Sequence, residues 1–284
     1  MNDEKIAIMM DTGCDLPVDV CRENDIEILP LHVMYPEKDY MDGIDIDPIM
    51  VYERFPDEIP KTSTPSIQEV LDKFEAIRAK GYEKLVAVTI SSALSGTFNT
   101  VSVAARDYTD MEVHVFDTRN ISFGSGVFAL WASKLVREGA KFQELIQKLY
   151  DKRGDSRQFF YMDTLKYLRH GGRIGHVASF IGEALHLKPI ISCDPEGVYY
   201  TVAKIRGERL GKLRMLEEVV KQVKDKRCWV IVGEGYAHEE AMKMKAMLEE
   251  RLPNMEYLFD KQINATLAIN TGPGLVGVMT FVNP

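Results

Sequence analysis

The sequence predicts an α/β protein of two domains, an N-terminal parallel α/β/α sheet domain followed by a C-terminal mixed α+β domain. Three observations predict this. The 284 residues exceed the roughly 100–200 of one domain. Short apolar runs alternate with helical patterns through the first half, the signature of a parallel sheet covered on both faces. Near the C-terminus the apolar runs stand too close together for helical crossovers, which requires antiparallel pairs. The boundary falls near residue 156, giving a Rossmann-like domain over 1–156 and a mixed-sheet domain over 157–284.

Lys5–Met10 reads as a buried strand, after which Asp15 caps a helix with Pro17 in its first turn. Ile26–Tyr35 reads as a second strand. Asp47-Pro48 opens a short helix, and Thr64-Pro65 opens a longer one reaching Lys80. Lys84–Ile90 and Glu112–Phe116 are strands; Gly96–Tyr108, Ser122–Glu138 and Lys141–Asp151 are helices. In the second half Gln158–Met162 is a strand, Asp163 caps a helix, and the Gly171-Gly172 turn leads into another. Pro189–Cys193 pairs with Tyr199–Ala203 across the turn Asp194–Gly197. Helices Gly207–Lys224 and His238–Arg251 flank the strand Cys228–Val232. Tyr257–Phe259, Ile263–Ile269 and Val276–Val282 read as closing strands.

A net charge of −8 excludes a general nucleic-acid binder, which needs a basic face to neutralise phosphates. The charge is uneven: nine Lys/Arg and four acids lie between Lys166 and Arg214, a local excess of +5 that suits an acidic partner or a solvated helix face. Cys14, Cys21, Cys193 and Cys228 form no C-x-x-C pair, and no signal-peptide pattern or membrane-length apolar run is present. A cytoplasmic protein without metal or cofactor is the expectation.

Three segments place hydroxyls and glycines just past apolar runs, where open α/β sheets bind ligands. They are 61–66, 91–97 and 117–126. The second opens a helix, whose amides favour an anion; as helix caps alone, Ser95 and Ser122 would need no ligand. No general base stands near these serines in sequence, and Gly124-Ser125-Gly126 lacks the spacing of a nucleophile elbow. His32 and His114 lie in apolar strands and read as satisfied core residues. Gly272-Pro273-Gly274-Leu275-Val276-Gly277 fits G-x-G-x-x-G but leaves too little chain for a dinucleotide fold, and the third glycine position after Gly233-Glu234-Gly235 is His238.

In order along the chain, Asp11-x-x-x-Asp15-Leu16, Lys61-Thr62-Ser63-x-Pro65-Ser66 and Ser91-Ser92-x-Leu94-Ser95-Gly96-Thr97 resemble the DegV family. Leu165-x-x-Leu168-x-x-Gly171-Gly172-Arg173-Ile174, Leu187-Lys188-Pro189-Ile190 and Gly272-Pro273-Gly274 extend the resemblance over nearly the whole chain. The similar members are fatty-acid-binding carrier subunits of the bacterial fatty acid kinase system. The resemblance implies two α/β domains with one long-chain fatty acid, of about C14–C18, between them. It further implies an ATP-dependent kinase as partner, transient contact with a membrane surface, and a role in phospholipid metabolism. Carried over by motif, Thr62 and Ser95 hold the carboxylate with Asn270, which stands where the family commonly has histidine. Ser63, Ser92, Gly96 and Gly272 neighbour the site, and Arg206 and Arg173 serve the partner or phosphotransfer. Thr64 stands where the family often has glutamine.

No catalytic residue is implied. The alternatives are an acyl hydrolase or transferase using Ser95 or Ser122, and a lipid-sensing adaptor. For the alkyl tail, Phe128, Ala129, Leu130 and Trp131, with Phe180, Ile181, Ala184 and Leu185, are candidate tunnel residues, though all would equally suit a plain core.

Overall fold

The structure, a computed structural model, describes residues 2–182 and 187–284, the side chains of 179–182, 187, 208 and 209 excepted. In the N-terminal half, the four strands β1 (Ile6–Asp11), β2 (Ile26–Leu29), β6 (Lys84–Thr89) and β7 (Glu112–Asp117) form a parallel sheet in the order β2-β1-β6-β7. All six residues of β1 are buried, as expected of a parallel strand covered on both faces. Ala7 and Met9 point to one face, packing with Val70, Phe74 and Ile77 of α3 (Ile67–Ala79) and Val101 of α4 (Thr97–Asp107). Ile6, Ile8 and Met10 point to the other, toward α5 (Phe123–Arg137). The period of two along a strand thus divides one run between two cores.

The C-terminal half builds a six-stranded sheet. It contains β8 (Ser156–Tyr161), β9 (Leu187–Cys193), β10 (Tyr199–Arg206), β11 (Cys228–Gly235), β12 (Met255–Gln262) and β13 (Leu275–Val282). The order is β10-β9-β8-β13-β11-β12, all pairs antiparallel except β11–β12. One face carries α8 (Glu208–Val223) and α9 (His238–Arg251). The other meets α5, which therefore lies between the two sheets. Phe128 makes edge-to-face contacts with Phe116 of one sheet and Phe281 of the other, at centroid distances of 5.4 and 5.5 Å. The layers run helix, sheet, helix, sheet, helix.

A third, small sheet joins β3 (His32–Met34), β4 (Asp39–Met41) and β5 (Lys61–Ser63) in the order β4-β3-β5. With α2 (Pro48–Arg54) it packs against α10 (Ala265–Thr271). The remaining helices are α1 (Val18–Glu23), α6 (Phe142–Lys152) and α7 (Lys166–His170).

Several local expectations are corrected. Ile263–Ile269 is not a strand: residues 265–271 form α10, whose Ala265, Thr266, Leu267, Ala268 and Ile269 are all buried, so no helical polar face marks the sequence. Ile26–Tyr35 is two strands, β2 and β3, in different sheets, separated at Pro30-Leu31; proline supplies no N–H to continue a ladder. Asp15 does not cap α1; it sits at φ 63° after a single 3₁₀ turn, and its carboxylate is used elsewhere. Asp163 does not cap α7, because Thr164 Oγ1 accepts from the Lys166 amide at 3.1 Å while Asp163 pairs with Lys188. The segment after Gly171-Gly172 is 3₁₀, over Gly175–Gly182. By contrast Asp47 does cap α2, accepting from Ile49 N at 2.7 Å. His114 bonds Tyr150 at 3.3 Å, and His32 sits between Asp39 and Glu69.

Candidate functional site

The hydroxyl segments converge because each lies at the carboxyl edge of the parallel sheet or on the small sheet beside it. Thr62 and Ser63 end β5, whose antiparallel register pairs Thr62 with Val33 and Ser63 with His32. Ser95 precedes α4, and its Oγ contacts Thr97 Oγ1 at 2.9 Å and accepts from Thr97 N at 3.3 Å. Asn270 lies on α10, where its Nδ2 donates to Thr266 O at 2.9 Å. Thr62, Ser63, Thr64, Ser95 and Asn270 line one cleft with Arg173, Leu94 and Thr266. Arg173 is fixed there by bonds from Nε to Leu94 O (3.3 Å) and from Nη1 to Gly171 O (2.6 Å). That arrangement offers an anion hydroxyl donors, an amide and a guanidinium at the N-terminal end of α4.

Other expected residues lie off the cleft lining. Ser92 is bound to Asp117 through both its amide and its hydroxyl. Gly96 stands beside the Thr64 methyl, and a Cβ at Gly171 would strike the Asn270 side chain. Gly272 has φ 70° and packs flat on Tyr167, which makes glycine necessary there. Arg206 is exposed at the end of β10. Phe128 and Trp131 are inter-sheet core, not cavity wall. Ala184, Leu185 and the side chains of Phe180 and Ile181 lie outside the described residues.

Behind the cleft is a second, apolar chamber. Ile121, Tyr199, Leu267 and Thr271 line both spaces, and Phe160, Ile263, Gly233 and Leu275 extend the second one inward. The sequence reading missed this wall, since Leu267 and Thr271 lie on the unrecognised α10. Gly233, set aside as half of a false dinucleotide motif, leaves room there for the Phe123 ring. The two cavities have volumes of about 60 and 30 Å³, a narrow seam rather than an open tunnel.

Both candidate serines are engaged by neighbouring protein groups. Ser122 stands at the N-cap position of α5 with φ 54° and donates to Asp15 Oδ2 at 2.6 Å instead of capping. Among the described residues no histidine bonds Ser95 or Ser122, and no group of three or more His, Cys, Asp or Glu could hold a metal ion. All four cysteines are buried, and burial pushes the Cys21 thiol up to about 12.

Two buried aspartates, Asp15 and Asp42, tie the start of α10 to the N-terminal half, and a third, Asp11, braces the turns beside them. Asp15 Oδ1 accepts from Asn264 N at 2.7 Å, and Asp42 accepts from Ala265 N at 3.1 Å and from the Thr266 hydroxyl. These groups are the N-cap amide, the first helical amide and a first-turn hydroxyl of α10, all held from across the chain. Lys261 Nζ donates to Asp15 O at 3.2 Å, and Asp11 accepts from Ile90 N at 3.0 Å and Gly13 N at 2.9 Å. Burial pushes Asp11 up to about 7 and Asp15 up to about 6, and raises Asp42 as well.

A family model described as "Uncharacterised protein, DegV family" matches residues 5–283. The chain belongs to the DegV family. A DegV domain-containing protein of Clostridium perfringens is 38% identical, over 97% of this chain and 98% of its own. Among solved structures, a fatty-acid-binding DegV family protein from Thermus thermophilus superposes with TM-score 0.92 at 26% identity, covering 99% of this chain and all of the other. DegV of Bacillus subtilis, described as a fatty acid binding protein, superposes with TM-score 0.90 at 28% identity, with both chains fully covered. A stearic-acid-binding protein from Eubacterium ventriosum gives 0.87 at 28% identity, over 98% of each chain. The mixture of a parallel sheet and a mixed sheet with covering helices is thus a DegV fold.

The raised aspartates predict an unusual pH dependence. The folded protein keeps these protons where the unfolded chain, at about 3.8, has lost them. Their contribution to stability is therefore greatest below about pH 4 and falls as pH rises through about 6 and 7. In Asp15→Asn the part due to Asp15 disappears. Urea denaturation should show the variant gaining on the order of 3 kcal/mol relative to wild type between about pH 4 and pH 7. A difference that stays constant with pH would contradict the assignment.

Proposed function

We propose that this chain is a carrier, not a catalyst, which buries one long-chain fatty acid and presents its carboxylate to a separate kinase for acyl-phosphate formation. The observation that carries the reading is the continuity of a polar cleft at Thr62, Ser95, Asn270 and Arg173 with an apolar chamber through shared walls at Ile121, Tyr199, Leu267 and Thr271. An amphiphile with one anionic end fits that order of surfaces. Solved relatives at 26–28% identity described as binding fatty acids, one of them stearic acid, support the same ligand class.

The energetics agree. At ~0.8 kcal/mol per buried CH₂, a chain of about sixteen carbons supplies on the order of 10 kcal/mol before association costs. The carboxylate cannot be buried unpaired without losing several kcal/mol, so hydroxyl and amide donors at the mouth are required. Asn270 donates but carries no charge, which leaves Arg173 as the cation at the cleft. Small-molecule pockets commonly span roughly 300–1,000 Å³; cavities of about 60 and 30 Å³ require Leu267, Ile121 or Leu275 to change rotamer around a full-length tail. Exposed Arg206 and Lys204 on β10, in the basic stretch, are the proposed partner-facing residues.

Lipid extracted from the purified protein should contain close to one fatty acid per chain by mass spectrometry. Replacing Thr62 and Ser95 together with alanine removes two charge-assisted bonds and should weaken binding by about 3 kcal/mol, roughly a hundredfold in Kd. Unchanged affinity in the double variant would refute the head-group assignment. Leu275→Phe at the inner end of the chamber should shift the bound acids toward shorter chains, read from the same spectra; an unaltered chain-length distribution would place the tail elsewhere.

A further inference from the structure

Away from this cleft, a separate pocket of about 170 Å³ lies where the two halves of the chain meet. Thr118, Arg119 and Asn120 come from the β7–α5 turn, Arg153, Gly154, Ser156 and Arg157 from the crossover into β8, and Cys193, Asp194 and Pro195 from the β9–β10 turn. Three arginines therefore face one small space. Neither proposed lipid binding nor partner docking uses any of them.

Their charges are poorly matched by protein groups. Arg153 lies over the rings of Phe116 and Tyr150, at 5.1 and 4.7 Å, and its Nε is buried with no hydrogen-bond partner. Among the described residues no carboxylate lies within 4.0 Å of Arg153 or Arg157. Arg119 donates to Pro195 O at 3.1 Å, and its acidic neighbour is Glu196 at 3.7 Å, a carboxylate 75% exposed. Two other acids of the surrounding turns are already engaged. Asp117 accepts from Ser92 N, Ser92 Oγ and Arg119 N, and Asp194 accepts from Glu196 N and Val198 N with His176 at 3.6 Å. The neutral wall is committed too: Asn120 Nδ2 donates to Ser156 O, Ser156 Oγ donates to Gly124 O, and Thr118 Oγ1 donates to Thr89 O. Burial and the closeness of Arg119 outweigh the support that Tyr150 and Asp117 give the Arg153 cation. Arg119 is also held at φ 51°, a costly backbone for arginine, with the Gly197 turn packed against its Cα.

We propose that this arginine pocket binds a small oxyanion of the phosphate class, either inorganic phosphate or the phosphoryl group of a small monoester. Guanidinium groups bind phosphate through paired N–H donors, and an anion between these three would relieve their mutual repulsion. Because the pocket draws on both halves of the chain, the bound anion ties them together. Its β7–α5 wall continues directly into Ile121 and Ser122 of the lipid chamber.

Isothermal titration of the full chain with inorganic phosphate and with glycerol 3-phosphate, at ionic strength fixed with chloride, tests this. The expected result is saturable binding of one anion, weakened roughly tenfold or more in Arg153→Gln and in Arg157→Gln, with exposed Lys221→Gln behaving as wild type. Tighter binding of one of the two anions identifies the source. Arg153 is packed between aromatic rings, so if its variant does not fold, Arg157→Gln alone decides. Heats that never saturate, or equal affinity in wild type and Arg157→Gln, overturn the proposal.

Discussion

Capping of α10 by carboxylates more than two hundred residues away is the constraint on which the cleft depends. Asp15 accepts from the Asn264 amide at the N-cap and Asp42 from the first helical amide, and the later residues Leu267, Asn270 and Thr271 form one wall of the cleft. A seven-residue helix has too little internal hydrogen bonding to persist alone. Burial of every α10 residue but Asn270, together with these long-range bonds, supplies what local propensity does not. Thr12 completes the joint, bonding the Leu31 amide through its hydroxyl and Asn264 Nδ2 through its carbonyl.

That joint also shows where sequence reasoning stops. The parallel-sheet strands were legible because β1, β6 and β7 are apolar runs bounded by turns, and Asp47-Pro48 announced α2 by an ordinary local cap. Asp15 resembled such a cap just as closely, but its partner is Asn264. No local pattern distinguishes a carboxylate serving the next turn from one serving a helix at the other end of the chain. Likewise α10 carries an apolar run that suits a strand, and burial of all its residues except Asn270 explains a helix without a polar face. The strands β4 and β5 are three residues each, too short for a period to register.

Within the cleft, hydroxyl-rich segments past strand ends marked Thr62 and Ser95, and the same logic included Ser92, which turns away to Asp117. The apolar chamber was less legible. Its walls come from α10, β8, β10, β11, β13 and the turn before α5, each contributing residues that look like ordinary core in sequence. The aromatic residues of α5 were the more conspicuous candidates, and they fill the space between the sheets instead. Glycines proved more informative than any motif they formed: Gly233 and Gly272 are needed for close packing against Phe123 and Tyr167, not for a nucleotide.

The proposed lipid site is an order of surfaces: anion donors at the outside, hydrocarbon walls within. A crystal structure of the chain grown with palmitate tests it most directly. The expected result is the carboxylate at hydrogen-bond distance from the Thr62 and Ser95 side chains, with the tail running past Leu267 toward Phe160 and Leu275. A head group bound elsewhere, or a tail lying on the surface while the seam beneath α10 stays closed, would contradict it.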